Sequence, residues 1–192
     1  MKATLQWFLG VGGAALDPSG GADLFVQQAA ALSPDLNVPP LFLYTDYQTA
    51  AADLQTLPAN VAIILCGDSA GCVAVTQIAQ IIHPRKVAYM AMVQSSHLMP
   101  PEPIGDNVAV VDAFYTDWWR SFPPRMGDYK PQLVTPPAGE IVYPGKYVGN
   151  GGKTTINYIY APTYFHPADD DPATQATMLA QVKAVLAAYD RH

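Results

Sequence analysis

Hydrophobic and polar positions in this 192-residue chain alternate between two kinds of run. Some are short and apolar throughout, the length of a strand buried on both faces. Others are longer, with apolar residues recurring every three or four positions, the period of a helix. Residues 3–9 (ATLQWFL), 41–45 (LFLYT), 61–66 (VAIILC), 87–93 (VAYMAMV), 108–115 (VAVVDAFY) and 155–161 (TINYIYA) therefore read as strands. Residues 21–32, 49–57, 70–82 and 172–189 read as helices. Pro58 and the His83-Pro84 pair close the second and third of these, because proline cannot continue a helix. Pro172 falls in the first turn of the last helix, where a missing N–H costs nothing. Wholly apolar strands alternating with helices predict an α/β fold of three layers, a mostly parallel sheet covered on both faces.

The length suits one domain over residues 1–192. Residues 120–153 break the alternation with the Pro- and Gly-dense stretches SFPPRMGDYKPQ, TPPAGE and YPGKYVGNGGK. Two readings stay open for this insertion: a surface excursion with a hairpin near 147–153, or a flap beside an active site.

Composition narrows the chemistry. Half of the residues are hydrophobic, and the mean hydropathy is +0.09, yet no apolar run reaches the ~20 residues of a bilayer-spanning helix. The net charge of -6 disfavours nucleic acid, whose phosphates select basic surfaces, and gives no attraction to anionic lipid. A neutral or cationic small molecule suits this balance. At the N-terminus one lysine and an apolar run interrupted by Gln6 make a poor signal peptide, so the segment reads as the first strand. The two cysteines, Cys66 and Cys72, show no metal-ligand spacing, and no metal or cofactor is expected. They read as small buried residues, since a disulfide would have to span a tight turn. Reduced thiols point to the cytoplasm, with secretion as the alternative.

The most informative stretch is NVAIILCGDSAGCV, residues 60–73. Gly67-Asp68-Ser69-Ala70-Gly71 matches Gly-x-Ser-x-Gly and sits where a strand turns directly into a helix. Such a turn needs small residues two positions either side of the serine. It leaves the hydroxyl exposed above the helix N-terminus, whose free N–H groups can hold an oxyanion.

This strand–turn–helix resembles the nucleophile elbow of the α/β-hydrolase superfamily, most closely its compact, cap-less, cutinase-like serine esterases. The resemblance implies a minimal version of that fold: about six strands, ordered 2-1-3-4-5-6 in chain numbering. It implies a serine, an acid and a histidine in that chain order, and an oxyanion hole completed from a loop after a neighbouring strand. Ser69 is then the nucleophile and the Ala70 N–H the first oxyanion donor. Val11 or Gly12, after the first strand in LGVGG, supplies the second, although the His-Gly-Gly motif of lipases is absent. Among the four histidines the resemblance selects His166, in the loop between the last strand and last helix. His83 reads as a cap and His192 is terminal. For the acid it selects Asp117, just past the 108–115 strand. Asp112 and Asp128 stay open as substitutes, because the Pro/Gly-rich insertion lengthens the interval to His166.

An apolar pocket is expected from Trp118, Tyr164 and Phe165, with His97 beside it; as core residues the aromatics would need no site. The activity implied is hydrolysis of a small ester or other acyl substrate. A peptidase, thioesterase or lipase on the same scaffold and a non-catalytic binding module are the alternatives. A nucleotide site at the Gly10–Gly13 loop fits less well, because neither GxGxxG nor a GK[ST] sequence is completed. The oligomeric state is not legible.

Overall fold

In the computed structural model, residues 1–10, 20–94, 101–115, 126, 145–160 and 171–189 are described. They form one mostly parallel sheet with helices on both faces. In chain order the elements are β1 (Ala3–Leu9), α1 (Gly21–Ala30), β2 (Leu36–Asn37), β3 (Phe42–Leu43), α2 (Tyr47–Thr56) and β4 (Ala62–Asp68). There follow α3 (Gly71–Ile81), β5 (Val87–Val93), β6 (Val108–Tyr115), β7 (Lys146–Gly149), β8 (Thr154–Tyr160) and α4 (Pro172–Tyr189). The sheet order is β2-β1-β4-β5-β6-β8-β7, with β3 also paired to β1. Every pairing is parallel except the β7–β8 hairpin.

All seven residues of β1 are buried, as are all but one in each of β4 and β5. Two apolar clusters cover the sheet. On one face Phe8, Ile63, Leu65, Met90, Met92 and Val111 pack under α2 and α3. On the other, Leu5, Trp7, Ile64, Tyr89 and Phe114 pack under α1 and α4. Alternate strand residues feed opposite clusters, so a run that is apolar throughout is what a strand buried on both faces requires.

Four strands depart from the sequence expectation. The strand expected at 41–45 is reduced to Phe42–Leu43, and Leu36–Asn37 adds a second two-residue piece beside β1. Pro39 and Pro40 lack the N–H groups that a continuous edge strand would need. The Asp46 carboxylate then accepts from the Leu43 N–H at 2.9 Å, starting a 3-10 turn that runs into α2. The strand expected at 61–66 continues to Asp68. The sheet also gains β7, the first arm of a hairpin in the 147–153 region. The preceding insertion is not all surface: Met126, within it, is 3% exposed in the cluster under α2 and α3.

Among the described residues no helix is long and apolar enough to cross a membrane.

Candidate functional site

The chain leaves β1 toward β2 at one edge of the sheet and leaves β4 toward β5 on the other side. Where neighbouring parallel strands send their connections in opposite directions, a crevice opens at their carboxyl ends. Gly10 stands at the end of β1 and Ser69 at the end of β4, on either side of that point.

Ser69 has φ 50°, in the left-handed region that a non-glycine residue occupies at a cost of roughly 1–3 kcal/mol. Neighbouring bonds fix it there. Its N–H donates to the Val93 carbonyl of β5 at 2.9 Å, and its carbonyl accepts from Cys72 N–H at 3.2 Å. The Cys72 thiol lies 3.2 Å from the Gly67 carbonyl and 3.4 Å from that of Val93, able to donate to either. This side chain therefore ties the turn together from below. Cys66 and Cys72 are both free and buried, and they belong to opposite apolar clusters.

The glycines do separate tasks. A β carbon on Gly67 would run into the Gly71 carbonyl, and one on Gly71 would run into the Phe8 carbonyl of β1. Gly67 thus lets the strand double back into α3, and Gly71 lets α3 begin directly against β1. Gly10, though outside the motif, meets the same demand: a β carbon there would lie 2.8 Å from Ser69 Cβ and 3.2 Å from Ser69 Oγ. Ser69 is half-buried and Ala70 fully buried. The first turn of α3 carries neither a side-chain cap nor an acidic residue. The leading N–H groups of a helix have no acceptor within it, so Ala70 and Gly71 present donors beside the serine.

The residue between Gly67 and Ser69 links the two strands. One oxygen of the Asp68 carboxylate accepts from the Trp7 indole N–H at 3.1 Å and the other from the Gly10 N–H at 3.2 Å. Trp7 is 1% exposed and packs on Phe25 of α1, with ring centroids 5.2 Å apart. On the far side of Ser69, Gln94 at the end of β5 also takes a positive φ, 49°, and its N–H donates to Phe114 O at 2.9 Å. Asp68, Trp7 and Gln94 were not among the residues expected from sequence. Asp68 stood inside the motif at its variable position, and nothing local marks the other two.

Asp112, the open substitute for the acid, is 1% exposed on β6. It lies in register with Ala91, three residues short of Gln94 along β5 and so below the carboxyl edge. Its oxygens accept from Tyr89 OH at 3.1 Å and from Asn157 Nδ2 at 2.7 Å. Burial pushes its carboxyl above the usual range, while the hydrogen bonds from Asn157, Tyr89 and Gln181 pull the other way. Burial likewise pushes up the Cys66 thiol and the Tyr89 hydroxyl, each with Asp112 nearby adding to the shift. Asp112 is the centre of a buried polar network under α4.

Val11, Gly12, His97, Asp117, Trp118, Asp128, Tyr164, Phe165 and His166 lie outside the described residues. The segments that carry most of them leave one edge of the sheet. Val11 and Gly12 follow Gly10, His97 follows Gln94, and Asp117 and Trp118 follow Tyr115 at the end of β6. Tyr164–His166 lie between the end of β8 at Tyr160 and the start of α4. Tyr115 and Tyr160 are register partners with ring centroids 5.6 Å apart, so the β6 and β8 exits are adjacent. Among the described residues no group of three or more His, Cys, Asp or Glu side chains could hold a metal ion. No protein-family model, no curated protein and no solved structure matches this chain.

Proposed function

We propose that this protein is a serine hydrolase of the α/β-hydrolase type that cleaves an ester through an acyl-enzyme. The observation that carries the reading is the conformation of Ser69. A serine with φ 50° is held by hydrogen bonds on a strand-to-helix turn, between glycines whose β carbons would collide with backbone. Strain of this kind persists where it serves a site. The sheet order, with β1 and β4 adjacent at the reversal of connections, supports the same reading.

In the proposed mechanism Ser69 Oγ attacks the ester carbonyl while His166 takes its proton, and Asp117 orients and stabilises the imidazolium. The N–H of Ala70 and one from Val11 or Gly12 hold the oxyanion; each donor is worth about 3 kcal/mol in the transition state. The alcohol leaves with the proton from His166. Water, activated by the same histidine, then releases the acid and restores Ser69. Trp118, Tyr164, Phe165 and His97 form the wall against which the acyl or alkoxy group packs. The acidic composition, with a net charge of -6, favours a neutral or cationic substrate. The Asp68 carboxylate at the exit of β1 disfavours a phosphate there, which argues against the nucleotide reading of the glycine loop. The two free, buried cysteines fit a reducing cytoplasm.

A fluorophosphonate probe is expected to label Ser69, identified by peptide mass, and p-nitrophenyl acetate hydrolysis is expected to vanish in Ser69→Ala. Full hydrolysis by that variant, or no labelling of the wild type, would overturn the proposal in favour of a binding module. Comparing short-chain, long-chain, thioester and amide substrates assigns the acyl class.

A further inference from the structure

We propose that Asp68, the variable residue within Gly-Asp-Ser-Ala-Gly, is a positioning residue that clamps the exit of β1 onto the nucleophile turn and so fixes the clearance around Ser69. The inference rests on Ser69 being the nucleophile, and it adds a role that the motif leaves unassigned.

Three observations carry it. The carboxylate spans two strands with both oxygens engaged, one by Trp7 Nε1–H at 3.1 Å and one by Gly10 N–H at 3.2 Å. Bonds to an ionised acceptor are the strong kind. The Trp7 donor is itself fixed, since its ring is buried and packed on Phe25. Asp68 is therefore held from below by the tryptophan and holds the Leu9–Gly10 peptide plane above it. Gly10 is also the residue whose missing side chain makes room for Ser69 Cβ and Oγ. Fixing that peptide fixes the clearance around the nucleophile.

Electrostatics sharpens the inference. A carboxylate one residue from the nucleophile opposes the negative charge that develops during acyl transfer. By charge alone its removal would speed the reaction. The clamp has the opposite sign, so the two roles separate in one experiment.

Asp68→Asn keeps the shape but offers one oxygen and one NH2 group, leaving either Trp7 or Gly10 facing a donor. Trp7→Phe removes only the indole N–H. With p-nitrophenyl acetate, Asp68→Asn is expected to lower kcat about 10- to 100-fold, the scale of a small misplacement of reacting groups. KM should move by less than roughly threefold, because the interaction lost is realised in the transition state. Affinity for a trifluoromethyl ketone, which forms the tetrahedral adduct, should fall in step with kcat. Trp7→Phe should shift both in the same direction by less. In 15N-resolved spectra of Asp68→Asn, whichever of the Gly10 amide and the Trp7 indole N–H faces the new NH2 group should move upfield and exchange faster. An unchanged or raised kcat, or a Gly10 amide and a Trp7 indole N–H that both fail to move, would overturn the clamp. So would a loss of kcat that merely follows a loss of folded protein. If the wild type neither hydrolyses the ester nor labels at Ser69, it is the hydrolase reading that fails, and the Gly10 and Trp7 N–H signals still decide whether the clamp exists.

Discussion

Gly10 and Ser69 compete for one space: a β carbon on Gly10 would stand 2.8 Å from the β carbon of Ser69. Gly10→Ala must push the serine, and Ser69 cannot rotate away freely because its N–H is bonded to Val93. The expected result is a fall in kcat/KM of about 10- to 100-fold, as for a misplaced reacting group. Destabilisation should stay within the roughly 1–3 kcal/mol of an overpacked site. Ester kinetics and urea unfolding on the same preparation check both halves.

Replacing Ser69 separates strain from chemistry. Both Ser69→Ala and Ser69→Gly remove the hydroxyl and are expected to be inactive. Only glycine accepts φ 50° without penalty. Ser69→Gly should therefore unfold at a higher temperature than Ser69→Ala, by roughly 1 kcal/mol in stability once glycine's greater unfolded entropy is set against the relief. A melting temperature for Ser69→Gly below that of Ser69→Ala would show that the turn stores no strain.

Gln6 interrupts the apolar run of β1. It is 5% exposed, and its Oε1 has no hydrogen-bond partner among the described residues. Leaving a buried acceptor unsatisfied costs about 1–3 kcal/mol. Gln6→Met, similar in length and able to fill an apolar gap, should raise stability by about 1 kcal/mol. Calorimetric melting measures it, and a lower melting temperature would contradict it.

Asp112 gives a pH dependence of definite sign. Its folded pKa lies above the ordinary 3.8, so the native state keeps a proton that the unfolded chain has released. The associated stability is present below about pH 4 and is lost as pH rises through the folded pKa. Asp112→Asn removes the titration. Urea midpoints measured from pH 4 to pH 7 should fall more steeply for the wild type than for the variant. Asp112→Ala, which strands the Tyr89 and Asn157 donors, should be less stable than Asp112→Asn at every pH.

The interior strands were legible because burial on both faces leaves an unbroken apolar run, as in Val61–Cys66 and Val87–Val93. The pieces at the edge were not. Leu36–Asn37 and Phe42–Leu43 are strands only because β1 offers them pairing, and two residues carry no period. The serine and its flanking glycines were readable as a motif because their constraint is local. The partnership of Asp68 with Trp7 and Gly10 was not, because it depends on the register that sets Phe8 opposite Gly67, a relation between residues about 60 positions apart. Asp112 was legible as a problem, a carboxylate inside an apolar strand. Its partners come from β5, β8 and α4, which only the fold brings together.

The fragmentary outer strands have a further effect on behaviour at high concentration. β1, β4 and β5, the runs best suited to templated stacking with other molecules, are all interior to the sheet. The pieces beside β1 on one side offer two residues each, and β7 on the other offers four, beginning with an exposed lysine. Among the described residues neither border is long enough to recruit a foreign strand over many hydrogen bonds, which is the usual route from a native sheet to fibrous aggregates. The irregular margin thus lets a chain that is half hydrophobic carry its most adhesive segments without presenting them to its neighbours.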